Sequence, residues 1–274
     1  MRVLAINDVS CVGKCSLTVS LPIISACGIT CDVLPTALLS THTGGFTGYT
    51  FHSLTEEIPA IVKHWKSLGL QYDYIYSGYL GDVQQIAMVK KIKDELLMPD
   101  GKFIVDPVMG DGGKLYNNFN DEYVDKMREL CKEAHFVLPN LTEACLLTKT
   151  PYSSQNSERD WETLVRDLSR ICHRCIVTGI VQNESIFVYY MDENSRVQRI
   201  ASENVQGFFH GSGDVFASAF VGALARGKNE DNAIRLASDF VSASIRRTAI
   251  AGTDTRFGLA FEEEIFTFLQ NVNQ

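Results

Sequence analysis

The sequence has no excess of basic residues and no long apolar run. Lys and Arg number 25 against 33 Asp and Glu in 274 residues, which gives a net charge of −8. Proteins held on nucleic acid by phosphate contacts need a positive surface, so this balance argues against that class. No apolar stretch approaches the roughly 20 residues that span a bilayer, and a signal-peptide pattern is lacking. We therefore expect no nucleic-acid partner, no membrane anchor and a cytoplasmic location.

The eight cysteines lack the spacing of a zinc site or a disulfide framework. The closest pair, Cys172 and Cys175, has no second pair at zinc-binding spacing. Cysteines in a chain without a secretion signal are typical of cytosolic thiols. We expect these side chains to be reduced and structural.

Two common nucleotide-binding motifs are also missing. Residues 12–16 resemble part of a P-loop, but the first glycine of that pattern would fall at Asp8. Cys15 also stands where a Ser or Thr should hold magnesium. No Gly-x-Gly-x-x-Gly follows the first strand, which argues against a dinucleotide-dependent oxidoreductase. Any nucleotide must be held elsewhere in the chain.

Short apolar runs alternate with helical patterns along the whole chain, without an internal repeat or a linker. This alternation predicts a three-layer α/β fold, with a mostly parallel, doubly wound sheet flanked by helices. We expect one domain over residues 1–274. The predicted strands are 3–6, 32–39, 72–77, 103–105, 136–138 and 175–177, with a hairpin of 186–190 and 197–201. The predicted helices are 16–26, 53–68, 83–97, 122–134, 161–172, 232–249 and 262–272, besides one that opens at residues 139–143 and one that follows Asp214.

Polar side chains follow most of the predicted parallel strands. In doubly wound sheets the ligand lies beyond the carboxyl ends of the strands. One acid in such a place is usually a helix cap, but several clusters at one edge indicate a binding site. The clusters are Asp8, Tyr79, Asp106–Asp111, Asn140 with Glu143, and Thr178–Gly179.

The segment Gly211-Ser212-Gly213-Asp214 precedes a helix rich in small residues. The two glycines permit a tight turn and a close approach of a ligand to the backbone. A helix start offers unpaired N–H groups and the positive end of a dipole, which suit a phosphate. The Asp214 carboxylate would repel phosphate, so we interpret it as a general base; an ordinary helix cap is the alternative.

Residues 40–48 contain three glycines and four hydroxyl side chains. This composition is typical of a mobile polar lid over an active site. A plain surface turn is the alternative.

With these residues assembled, the sequence resembles the pyridoxal (vitamin B6) kinases of the ribokinase superfamily, and their bacterial pyridoxamine-kinase relatives most closely. The likeness extends over essentially the whole chain. It implies ATP-dependent phosphorylation of the 5'-hydroxymethyl group of a B6 vitamer, with Mg²⁺ and usually as a homodimer. A requirement for a monovalent cation such as K⁺ is left open. The markers are residues 40–44, 77–79, 106–111, 139–143 and 211–214.

The resemblance also implies roles for individual residues. Asp214 matches the catalytic base, and the amides of Gly211, Ser212 and Gly213 match an anion hole. The other matching positions are Glu143, Asn140 and Asp106 for the metal, Asp106, Asp111, Tyr116, Asn140, Thr178 and Gly179 for the nucleotide, and Asp8, His42, Thr43 and Tyr79 for the acceptor.

Asp8 departs from the family pattern, because many pyridoxal kinases have a serine there. A carboxylate facing the acceptor would favour pyridoxamine or pyridoxine over pyridoxal; alternatively, Asp8 caps the following helix. Three other functions are weighed against a B6 kinase. These are a hydroxymethylpyrimidine kinase of thiamin synthesis, a sugar or nucleoside kinase, and a non-catalytic binding protein, which would have no need of Asp214.

Overall fold

A computed structural model of the chain describes residues 1–155 and 157–274, and a six-stranded sheet lies at its centre. The strand order is β3-β2-β1-β4-β5-β8, in which all neighbours are parallel except β3, an antiparallel edge strand. The strands are β1 (Arg2–Ser10), β2 (Thr30–Leu39), β3 (Phe51–Ser53), β4 (Tyr72–Ser77), β5 (Leu97–Val105), β6 (Gly110–Asp111), β7 (Lys114–Leu115), β8 (Phe136–Val137), β9 (Ile176–Gln182), β10 (Ser185–Met191) and β11 (Val197–Glu203).

Helices cover both faces of this sheet, which explains the continuous apolar run at the start of β1. Leu4 and Ile6 belong to the core on one face, while Val3 and Ala5 belong to the core on the other. Successive side chains of a strand point to opposite faces, so a strand buried on both faces has no polar alternation. The three-layer α/β fold is therefore confirmed.

The helices divide between the two faces. Core residues of α2 to α6 pack on one face, and those of α1, α7, α8 and α9 pack on the other. None of the helices in the two described segments combines the length and the apolar character needed to cross a membrane. The helices are α1 (Leu17–Ala26), α2 (Ile58–Ser67), α3 (Val83–Leu96), α4 (Asp121–Lys132), α5 (Leu141–Thr148), α6 (Glu158–Leu168), α7 (Ser212–Ala225), α8 (Glu230–Ala251) and α9 (Ile265–Asn273).

A second sheet, in the order β11-β10-β9, continues the first at the β8 edge. Its three strands are antiparallel, and the predicted hairpin of β10 and β11 is confirmed. Single bridges join Val137 to Cys175 and Asn140 to Thr178. These bridges bring Thr178 beside the start of α5.

Several predicted element boundaries were wrong. β1 continues to Ser10, so Asp8 lies within the strand; the pairing with β2 resumes after a register shift between Asn7 and Val9. Thr178 and Gly179 also lie within a strand, because β9 extends to Gln182 by pairing with β10. Residues 51–53 form the edge strand β3, and α2 begins only at Ile58.

Candidate active site

A cavity of about 460 Å³ lies at the carboxyl edge of the central sheet. Tyr79 lines it just after β4, Asp106 directly after β5, and Asn140 shortly after β8. The first turn of α7 closes another side of the cavity through Ser212, Gly213 and Asp214. The fold thus brings together polar clusters that are far apart in the sequence.

The start of α7 is left open toward this cavity. Its N-cap residue is Gly211, with a φ of 77°, and no side chain caps the helix. A Cβ at Gly211 would collide with the Lys14 carbonyl oxygen, so both the backbone angle and the space require glycine. A Cβ at Gly213 would instead stand in open space. The first-turn amides have no partner within the helix, which makes the turn suitable for an anion.

Asp214, the third residue of α7, is half-buried beside this turn. Burial raises the pKa of its carboxyl to about 7, and the nearby Asp8 charge acts in the same direction. The Ser16 backbone amide and the Asn7 side chain, whose Nδ2 lies 3.4 Å from Oδ1, oppose that rise in pKa. A carboxyl with such a pKa can take up or release a proton near neutral pH, as a general base must.

Two further buried acids lie in the cavity wall. Burial, followed by the charges of Glu143 and Asp214, raises the pKa of Asp106 well above its usual range. Burial also raises the pKa of Glu143 to about 8, against the effect of backbone N–H donors. The charge of Asp111 also raises the pKa of Glu143, since like charges close together disfavour ionisation.

The start of α5 is closed by its own side chains. The Glu143 amide donates to Asn140 Oδ1 at 2.9 Å, and the Asn140 amide donates to Glu143 Oε2 at 2.8 Å. Glu143 Oε1 accepts from the Met109 amide at 3.1 Å, while Asn140 Nδ2 donates to the Gly110 carbonyl at 2.8 Å. Asn140 and Glu143 therefore form a capping box that holds the β5–β6 connection in place.

The residues predicted for the nucleotide all line the cavity. Asp111, Tyr116, Thr178 and Gly179 do so together with Asp106 and Asn140. No sequence pattern indicates the apolar wall beside them, because the residues of this wall belong to no motif and are spaced far apart. This wall suits a flat aromatic ring, and it consists of Ile186, Phe187 and Val188 on β10 with Val241 and Ile245 on α8.

Of the residues predicted to contact the acceptor, only some line the cavity. Tyr79 lines the cavity, and its hydroxyl accepts from Asn118 Nδ2 at 3.0 Å. Thr43 is exposed, and His42 is buried in the loop of residues 40–48, with Nε2 2.6 Å from the Arg256 carbonyl oxygen. Neither His42 nor Thr43 is among the residues described as lining the cavity.

Asp8 is buried next to the cavity wall. Its Oδ1 accepts from Ser16 Oγ at 2.6 Å, and its Oδ2 accepts from Ser10 Oγ at 2.9 Å. Ser16 lines the cavity, whereas Asp8 is not among the described lining residues. The Asp8 carboxylate thus fixes Ser16, the N-cap residue of α1, which donates its amide to Asp214.

Asn7 and His210 are two of the polar lining residues that sequence reasoning missed. Asn7 Oδ1 accepts from the backbone amides of Tyr79, at 2.8 Å, and Asp8, at 3.0 Å, so its side chain ties β1 to the loop after β4. A polar residue at the end of a buried apolar run was the available signal for Asn7. His210 directly precedes the Gly211 turn, and its position in the chain was its signal.

The donor set fits a hard divalent cation bound together with phosphates. Within residues 1–155 and 157–274, no group of three or more His, Cys, Asp or Glu side chains forms a ready metal cage. Magnesium at phosphates usually takes only one or two carboxylates, with phosphate and water oxygens as the other ligands. Asp106 and Glu143 could supply such oxygens, and a cation there would relieve the repulsion between these acids.

The fold and the site define the class of this protein. The chain belongs to the phosphomethylpyrimidine kinase family, whose model matches residues 21–256.

Individual relatives indicate which members of this family the chain resembles. A Bacteroides thetaiotaomicron protein whose crystal structure contains pyridoxal is 34% identical, with a TM-score of 0.92 over 100% of this chain and 96% of that one. The pyridoxal kinase of Lactobacillus plantarum is 30% identical, with a TM-score of 0.91 over 98% and 96% of the two chains. The pyridoxal kinase of Arabidopsis thaliana is 28% identical over 193 residues, which are 65% of this chain and 60% of that protein. The resemblance to the pyridoxal kinases is confirmed.

The curated relatives are longer than the parts that align. The chain spans 48% of a Caenorhabditis elegans relative, 64% of one from Saccharomyces cerevisiae and 60% of the Arabidopsis protein.

Proposed function

We propose that this protein is an ATP-dependent kinase that phosphorylates the 5'-hydroxymethyl group of pyridoxal, pyridoxine or pyridoxamine. The observation that carries the proposal is Asp214, an acid with a pKa of about 7 placed on the first turn of α7. A carboxylate beside an anion-binding turn does not help to bind phosphate, but it is well placed to remove a proton from an attacking hydroxyl.

The reaction follows from these positions. The acceptor hydroxyl oxygen forms a bond to the γ-phosphorus, and the bond from that phosphorus to the leaving ADP oxygen breaks. The hydroxyl proton passes to the Asp214 carboxylate. The amides of Ser212 and Gly213 stabilise charge on the transferring group without having to reorganise. Tyr79, which also lines the cavity, contacts the acceptor ring.

ATP is the proposed phosphoryl donor. The apolar wall of Phe187 and Val241 suits an adenine ring, and the open first turn of α7 suits the phosphates. Among the described residues, no Lys or Arg lines the cavity, so the protein itself supplies no full positive charge. Magnesium, held by Asp106 and Glu143, would supply that charge at the phosphates.

A second candidate function is a hydroxymethylpyrimidine kinase. The matching family model is described as phosphomethylpyrimidine kinase, which favours this alternative. The Bacteroides relative that contains pyridoxal and the Lactobacillus pyridoxal kinase favour a B6 vitamer. Both acceptors carry a hydroxymethyl group on a flat nitrogen heterocycle, so Asp214 would serve either.

We further propose a cytoplasmic homodimer in which each chain is a single domain with a lid at residues 40–48. Leu38 and Phe51 are 45% and 46% exposed at the β2–β3 edge of the sheet, where an apolar surface could be covered by a second copy. The eight cysteines are free thiols, as in a reducing compartment.

The proposal is tested by following ATP consumption with pyridoxal, pyridoxine, pyridoxamine and hydroxymethylpyrimidine, each with Mg²⁺ in the presence and absence of K⁺. Mass spectrometry identifies the 5'-phosphate product. We expect turnover with at least one B6 vitamer at a higher kcat/KM than with the pyrimidine. Faster turnover of the pyrimidine would establish the second candidate, and binding without any turnover would refute both.

A further inference from the structure

His210 holds an unusual position in the acidic cavity. The described lining residues include five carboxylates, and His210 is the one side chain there that could carry a positive charge. Its ring is half-buried, and it contacts Phe208 at 4.6 Å and His42 at 4.9 Å between ring centroids. His210 directly precedes Gly211, so its backbone is continuous with the anion-binding turn.

The His210 ring lies against the loop of residues 40–48, in surroundings that disfavour its charged form. Burial and the neighbouring His42 lower the pKa of His210, and Arg256 lowers it further. The carboxylates Asp111 and Asp254 oppose this lowering but do not outweigh it. The contact with the loop is therefore one of packing and not of charge.

Gly44 provides the other half of this contact. A Cβ added to Gly44 would lie 2.5 Å from both Cε1 and Nδ1 of His210 and 3.4 Å from Nδ1 of His42. The backbone of Gly44 does not adopt the left-handed conformation, unlike Gly45 with a φ of 77°. Glycine is thus required at residue 44 by the His210 ring and not by the backbone angle.

Other contacts join the same loop to the segment around Arg256. The Gly44 amide donates to His42 Nδ1 at 3.1 Å, and His42 Nε2 lies 2.6 Å from the Arg256 carbonyl oxygen. Phe46 contacts Phe257 at 5.4 Å between ring centroids. These contacts fix one side of the loop, but they do not reach the start of α7. The contact between Gly44 and His210 does.

We propose that His210 is a positioning residue that couples the loop of residues 40–48 to the anion-binding turn at Gly211. Enclosure of the acceptor and the geometry of the turn then both depend on the packing of the loop against the His210 ring. The inference rests on the proposed kinase function, in which the loop keeps water from competing with the acceptor hydroxyl. Without the contact, both ATP and vitamer would still bind, but water would have access to the phosphoryl group.

The first experiment compares His210→Ala with the wild-type protein and with His173→Ala, which removes an exposed histidine elsewhere. The measured quantity is the ratio of vitamer phosphorylation to ATP hydrolysis without vitamer. We expect this ratio to fall roughly ten- to a hundredfold in His210→Ala, because small misplacements of an active-site group have effects of this size. We also expect the KM for the vitamer to rise while the KM for ATP stays within a few-fold of the wild-type value.

The second experiment is a double-mutant cycle on the contact itself. Gly44→Ala should displace the loop, because its Cβ would overlap the ring at 2.5 Å. Removing that ring in Gly44→Ala/His210→Ala should relieve the overlap, so the double variant should be less impaired than the two single effects combined predict. Strictly additive effects would overturn the proposal.

Hydrogen exchange separates this inference from the kinase assignment. In the ligand-free protein, the amides of residues 43–48 should exchange faster in His210→Ala than in the wild type or in His173→Ala. This measurement needs no enzymatic activity, so it remains decisive if no tested alcohol is phosphorylated. Unchanged exchange, in a variant whose thermal unfolding shows that it is folded, would refute the coupling.

Discussion

Two helices, α5 and α7, begin at the cavity with an acid in the same place, and the two acids are used differently. Glu143 and Asp214 are each the third residue of their helix, behind the N-cap residues Asn140 and Gly211. At α5 the acid and the N-cap side chain satisfy each other's backbone amides in a capping box. At α7 no side chain caps the helix.

The difference lies in the residue at the N-cap. Asn140 has an oxygen that accepts from the helix, and this fixes the Glu143 side chain over the backbone. Gly211 has no side chain, so no N-cap side chain occupies the amides of the first turn, and Asp214 accepts from Asn7 on β1 and from Ser16 before α1 and not from its own N-cap residue. Burial raises the pKa of both acids, to about 8 for Glu143 and about 7 for Asp214. A raised pKa therefore does not by itself identify the acid that does chemistry; what separates the two acids is that Glu143 caps its own helix, whereas Asp214 lies beside an uncapped helix start.

Asp214→Asn should have the largest effect of the substitutions that test the difference between Asp214 and Glu143. We expect kcat to fall roughly 10²–10⁴-fold, the usual contribution of a positioned general base, while affinity for ATP stays within a few-fold. Steady-state kinetics and calorimetric titration with ATP measure the two quantities. Turnover close to that of the wild type would reduce Asp214 to a helix-start residue like Glu143.

The fold could be read from the sequence because its determinants are local. Runs such as Val3–Ile6 are apolar enough to require burial on both faces, and glycines mark the turn before Asp214. The apolar wall around Phe187 and Val241 could not be read, because ordinary core residues give no motif. The burial of His42 depends on a carbonyl more than 200 residues away, at Arg256, which no local pattern encodes.

The pH dependence of kcat should follow the ionisation of Asp214. The base must be deprotonated, so activity should rise with pH and level off above about 7, the pKa of this group. Well below that pH, each unit should lower kcat about tenfold. A pH profile with the B6 vitamer that wild type uses best measures this, and a flat profile between pH 5 and 8 would contradict it.

The raised pKa of Asp214 should also make the stability of the folded protein depend on pH. The folded state raises the pKa of Asp214 from its usual 3.8 to about 7, so the folded protein holds this proton more tightly than the unfolded chain. The stabilisation is complete below pH 3.8 and is lost as pH rises through 7. Asp214→Asn has no such loss. Its Tm relative to wild type should therefore be higher at pH 8 than at pH 5.

Glu143→Gln tests the structural role of Glu143 in the capping box of α5. The amide group of glutamine must present an NH₂ to either the Asn140 or the Met109 backbone N–H, so one hydrogen bond is lost. We expect the free energy of unfolding to fall by about 1–3 kcal/mol. If Glu143 also holds magnesium, the Mg²⁺ concentration for half-maximal rate should rise. Denaturant unfolding and a magnesium titration separate the two uses, and no change in either would refute both.

Asp8→Ser changes the surroundings of Asp214. It should have the smallest effect on activity of these substitutions. The Asp8 carboxylate accepts from Ser10 and Ser16, and its charge contributes to the raised pKa of Asp214. Without that charge, the rise of kcat with pH should move to lower pH.

The substrate preference of Asp8→Ser should change little. Since both carboxylate oxygens already have serine partners, we expect the preference among pyridoxal, pyridoxine and pyridoxamine to change by less than about tenfold, or ~1.4 kcal/mol. The measurement is kcat/KM for the three vitamers across pH in both proteins. A larger change in preference would place the Asp8 carboxylate against the acceptor, whereas an unmoved pH profile would show that its charge does not reach Asp214.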